Sequence, residues 1–63
     1  MIVSAKEASY HIHHTEQQYE WNEISKTALE EKLEYFLEVL ESYDSDAAES
    51  ERSRINRKYG FNL

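Results

Sequence analysis

Three groups of side chains have the types and spacing to do chemistry. The first is His11, His13 and His14. Imidazole is a common metal ligand. On a strand, His11 and His13 share a face and can chelate one ion; on a helix, His11 and His14 share a face instead. Zinc takes four ligands when structural and three plus water when catalytic. Glu7, Glu16 or Glu20 could contribute, but no spacing singles one out. The expectation is a polar surface with no cofactor, and His11 with His13 as the weak metal candidate.

The second group is an acidic ladder. Glu30, Glu34 and Glu38 stand four residues apart, with Glu41 beyond them. Like charges at this spacing cost a helix about 0.2–0.5 kcal/mol per pair. The ladder serves as a solvated face, pairs with cations elsewhere in the chain, or docks on a partner with a basic surface. The third group is Arg52, Arg54, Arg57 and Lys58, with Asn56 and Tyr59 between them. Cations can meet phosphate, Asn56 a base edge, and Tyr59 the face of a base.

Catalytic chemistry is not expected. Cysteine is absent, the single glycine cannot make a phosphate-cradling loop, and the carboxylates lie along a helix rather than in a pocket. A 63-residue chain also has little room for a ligand cavity of about 300 Å³ or more.

The elements that position these groups differ in clarity. Leu29, Leu33, Phe36, Leu37, Leu40 and Tyr43 recur at spacings of three and four, which predicts a helix from Thr27 to Tyr43. Ser25 or Thr27 can cap it, and Thr27 with Glu30 has capping-box spacing. Asp44-Ser45-Asp46 reads as a stop and a new start. A short helix is expected from Ala47 to Tyr59, capped by Ser45 or Asp46. Gly60 is its left-handed stop, Phe61 folds back on Ile55, and Asn62 and Leu63 fray.

Residues 8–23 are read as a β-hairpin. A turn at Thr15-Glu16 puts Tyr10, Ile12, Tyr19 and Trp21 on one face, and His11, His13, Gln18, Glu20 and Asn22 on the other. The Ala, Glu and Gln content tolerates a helix, and Ser4 with Glu7 mimics a capping box, so an all-α three-helix fold is the alternative. The expected class is α+β: an N-terminal hairpin on a long central amphipathic helix, then a short C-terminal helix. The expected core and dimer face is Tyr10, Ile12, Tyr19, Trp21, Leu33, Phe36, Leu37 and Leu40. Pairing two hairpins in a homodimer would cover the edge strands.

Sixty-three residues make a single small domain, 1–63, in which a hydrophobic core is marginal. The net charge of −6 is unevenly spread: residues 1–51 hold thirteen acids and three bases, residues 52–63 four bases and no acid. Such a body repels nucleic acid and attracts basic surfaces. No apolar run approaches the roughly 20 residues of a membrane span. Met1-Ile2-Val3 is too short for a signal-peptide core, and the absence of cysteine fits a reducing compartment. A cytoplasmic protein is expected. Its size and acidity suit an accessory or regulatory protein of the kind phages and mobile elements encode, acting by protein–protein binding. Glu30, Glu34, Glu38 and Glu41 would be its partner face. The alternative is a dimeric DNA-binding regulator that uses helix 47–59 and the cations Arg52, Arg54, Arg57 and Lys58.

Overall fold

The computed structural model describes residues 2–63, which form three helices. They are α1 (Ala5–Glu20), α2 (Lys26–Tyr43) and α3 (Ser45–Tyr59). No strand occurs among the described residues, so the β-hairpin and the α+β class are overturned. Met1, part of the Met1-Ile2-Val3 stretch, lies outside them.

Local chemistry explains why residues 5–20 are helical. Ser4 is extended, and its hydroxyl accepts the Glu7 N–H at 3.2 Å. The Glu7 carboxylate in turn accepts the Val3 N–H at 3.2 Å. Donors that would otherwise be orphaned at the helix start are therefore satisfied. No Gly, Pro or Asn interrupts the following sixteen residues. The buried stripe is Ala8, Ile12, Thr15 and Glu16, the spacing of a helix face and not of a strand. Tyr10 and Trp21, expected in the core, are 64% and 63% exposed, whereas Ile12 is fully buried.

The helix stops at a Schellman motif made without glycine. Asn22 takes the left-handed conformation at φ 60°. Its N–H donates to the Tyr19 carbonyl at 3.0 Å, and the Glu23 N–H donates to the Gln18 carbonyl at 2.8 Å. Asparagine is among the few residues that tolerate this region. A short link then reaches Ser25, whose hydroxyl accepts the Ala28 N–H at 3.2 Å and caps α2, in place of Thr27.

Between α2 and α3 a single residue does two jobs. The Asp44 N–H donates to the Leu40 carbonyl at 2.8 Å and closes α2. Its carboxylate accepts the Ala47 N–H at 3.1 Å and opens α3. The cap of α3 is thus Asp44 rather than Ser45 or Asp46, and the helix begins two residues earlier than Ala47. Gly60 ends it at φ 74°. The tail beyond does not fray. Phe61 stacks on Tyr59 with ring centroids 5.6 Å apart, and the Leu63 N–H donates to the Asn56 side chain at 2.8 Å.

The core is built on α2. Leu29, Leu33, Leu37 and Leu40 are each no more than 1% exposed. Ala8 and Ile12 cover them from α1, and Ala48 and Ile55 from α3. The two alanines let the flanking helices approach closely. No Cα of α1 comes within 8 Å of a Cα of α3, so each flanking helix packs on α2 and long side chains bridge the gap between them. Phe36 and Tyr19 lie partly buried at the edges.

One chain therefore covers its own leucine face. Its accessible surface is 4257 Å². A monomeric globular protein of this 7.5 kDa mass has about 4,250 Å². The edge strands that motivated a homodimer do not exist.

Candidate functional site

Two regions hold the chemistry-bearing residues. The first is the seam between α1 and α3. His13, Glu16 and Glu20 recur at helical spacing on α1, and Glu51, Arg54 and Lys58 do so on α3, so two rows of charge face each other across the gap. Glu16 is only 5% exposed. Arg54 grips it with both terminal nitrogens, at 2.9 and 2.7 Å, and also donates to Glu51 at 2.8 Å. The Tyr59 hydroxyl donates to Glu16 at 2.9 Å, and Lys58 lies 3.7 Å from Glu16 and 3.3 Å from Glu20.

Burial by itself would push the Glu16 carboxyl up. The hydrogen bonds from Arg54 and Tyr59 and the charges of Arg54 and Lys58 outweigh burial and hold it below the usual carboxylate range. The Arg54 guanidinium is pushed further up by its bonds to Glu16 and Glu51. The Tyr59 phenol is raised by burial and by donating to Glu16.

Perturbed groups in one place can mark a reactive site. Here no buried side-chain nitrogen or oxygen among the described residues lacks a partner, which is the state of a structural clasp. One nitrogen of His13 and one oxygen each of Glu16 and Glu51 lie within 4.8 Å of one another, a grouping that could surround a cation. The Arg54 guanidinium already supplies that charge. The weak metal pair His11 and His13 is not brought together. Two residues along a helix turn about 200°, so His11 stacks on Phe36 while His13 points to Glu16 and Glu51.

The cations proposed for nucleic acid are mostly occupied. Arg52 binds Glu41 at 3.1 Å, Arg54 and Lys58 belong to the clasp, and Arg57 alone of the four forms no ion pair among the described residues. Of the acidic face, Glu41 is taken by Arg52. Glu30, Glu34 and Glu38 line a groove of about 250 Å³ with Leu37 and Arg52, closed by Asn62 and Leu63.

The second region is aromatic and runs across the outer surface of α1 and α2. Five rings touch in series. Tyr35 meets Phe36 edge-on at 5.3 Å, and Phe36 stacks on His11 at 5.1 Å. His11 meets Tyr10 at 5.6 Å, and Tyr10 lies parallel to His14 at 5.9 Å. Tyr35 is 59% exposed, close to the exposure of Tyr10. A groove of about 380 Å³ opens there, with Thr15 and Gln18 on its α1 side and Glu31 and Lys32 on its α2 side. Rings in contact make one surface, unlike scattered apolar residues, which are ordinary on any protein.

Local spacing does not reveal the roles of Tyr35, Glu31, Glu51 and Glu16. Tyr35 stands off the leucine stripe, on the polar side of α2, and an aromatic there is itself a signal of an outward-facing role. The strand-like alternation puts Glu16 in a turn; its partner Arg54 is 38 residues away, and no local pattern joins them.

The fold and surface define a three-helix module with an aromatic outer face and a satisfied ionic seam. Among the described residues, no helix is long and apolar enough to cross a membrane. Comparison with protein-family models, curated proteins and solved structures finds no match.

Proposed function

We propose that this protein is a small acidic binding module that regulates or assists another protein by contact, in the cytoplasm, without catalysis. The observation that carries the reading is the five-ring series on α1 and α2, exposed at Tyr10, His14 and Tyr35. The leucine face is already covered within the chain; Tyr10 and Tyr35 stand outside that core, while Phe36 packs against its edge. Aromatic side chains are the residues most enriched at protein interfaces, because they bury much area at little entropic cost. The partner face accordingly shifts to the aromatic surface from Glu30, Glu34, Glu38 and Glu41, of which the first three line a separate groove and Glu41 pairs with Arg52. The engaged state of Arg52, Arg54 and Lys58 leaves α3 little free charge for nucleic acid.

The test is affinity capture by the wild-type chain beside a Tyr10→Ala/Tyr35→Ala double variant. Both positions are well exposed, so the variant keeps its helical circular dichroism. A partner retained by the wild type and lost by the variant supports the reading. A partner captured equally by both places the interface elsewhere.

A further inference from the structure

Resting on that reading, we propose that the α1–α2 aromatic groove takes an arginine-bearing segment of a cationic protein. The guanidinium lies against Tyr35 and pairs with Glu31. The rings of Tyr35 and Phe36 form the α2 wall, and His11 and His14 the α1 wall. Exposed aromatic faces attract a guanidinium through the ring quadrupole and also accept its flat apolar surface.

Charge selects the occupant. Glu31 stands one helical turn before Tyr35, and Glu38 one turn after it. The chain uses Glu16, Glu20, Glu41 and Glu51 for its own cations. Glu31 and Glu38 form no ion pair among the described residues. Uncommitted carboxylates thus flank an exposed ring on a body of net charge −6. The same charge opposes a second copy of this chain as the occupant. Lys32 is the one lysine or arginine lining the groove. It sits about 100° around the helix from Glu31, so it turns an entering cation toward the Glu31 side.

The probe is the synthetic peptide Arg-Leu-Arg-Leu-Arg, titrated into the full chain and followed by backbone amide shifts and calorimetry. The matched control carries citrulline, which keeps the planar shape and removes the charge. The arginine peptide is expected to move the His11, His14, Tyr35 and Phe36 signals. Tyr35→Ala and Glu31→Gln should each weaken it by about threefold to tenfold. Lys32→Gln should strengthen it, an effect that lost folding cannot produce. Citrulline should bind about tenfold more weakly or worse.

Equal affinity of the two peptides sinks the arginine preference and leaves the α1–α2 face available as a contact surface. Shifts confined to Glu30 and Glu34 show diffuse acidic attraction and overturn the groove. No shift with either peptide overturns the cationic occupant. The capture experiment with the Tyr10/Tyr35 variant decides the binding-module reading separately.

Discussion

Removing Arg54 should destabilise the fold far more than removing any other cation. Arg54→Ala strips the Glu16 carboxylate of its bidentate partner and leaves it the Tyr59 hydroxyl at 2.9 Å and Lys58 at 3.7 Å. The Glu16 side chain is 6% exposed, so water cannot take over. Breaking a fully buried pair costs about 3–5 kcal/mol. The Arg54 side chain is itself 37% exposed, so solvent screening lowers the expectation to about 2–3 kcal/mol. Glu16→Gln should cost less, about 1–2 kcal/mol, because Arg54 keeps Glu51 and the amide oxygen can still accept from Tyr59. A domain of this length has a total stability of about 3–9 kcal/mol, so Arg54→Ala removes a large fraction of it. Urea denaturation followed by far-ultraviolet circular dichroism measures this directly. With a slope of about 1 kcal/mol per molar for so small a chain, the midpoint should fall by about 2–3 M. The control is Arg52→Ala, which breaks the outer pair with Glu41 and should cost about 0.2–1 kcal/mol. Acid gives a second readout. The Glu16 carboxyl is held below its ordinary value in the fold, so its contribution is complete above the unfolded value of about 4.3. That contribution is lost as pH falls through the folded value. The cost of Arg54→Ala should therefore shrink on acidification. A cost no larger than that of Arg52→Ala, or one that does not change with acid, refutes the clasp.

The remaining expectations concern the frame. Leu33→Ala should cost about 2–5 kcal/mol, because Leu33 is fully buried between the flanking helices; an unmoved melting temperature would place it outside the core. Asn22→Ala should cost about 1 kcal/mol through the left-handed backbone, while Asn22→Gly should leave the urea midpoint unchanged or raise it. Asp44→Ala should cost about 0.5–2 kcal/mol by uncapping α3, and loss of helical ellipticity on heating would show it. Tyr35→Ala should shift stability by no more than about 0.5 kcal/mol, so that any loss of binding it causes is a loss of surface.

The α2 stripe was legible because every residue in it obeys one period and is large. Leu29, Leu33, Leu37 and Leu40 announce a buried face in any context that supplies a cover. Gly60 was legible for a different reason: only a residue without a side chain takes φ 74° at no steric cost. The first helix is hard to see in the sequence because, of its bulky apolar and aromatic residues, only Ile12 is fully buried. Tyr10, Ile12, Tyr19 and Trp21 alternate like a strand, but α1 meets α2 through Ala8, Ile12 and Thr15, and two of those three are small. The Ser4–Glu7 cap and the Asn22 stop were the local signals that marked the helix at both ends.

Elements, their caps and the composition of each face follow from spacing, since backbone geometry repeats every few residues. What touches what across the bundle does not. That Glu16 is buried and ionised, rather than exposed in a turn, depends on Arg54 arriving from a helix 38 residues on. That Tyr10 belongs to the surface and Ile12 to the core depends on which side of α1 meets α2. The aromatic groove exists because α1 and α2 bring His11 and His14 beside Tyr35 and Phe36. By itself, the sequence determined a central leucine helix, a glycine-stopped last helix and an acidic body. Only the packing decided which carboxylates are spent on holding the helices together and which remain free to meet a partner.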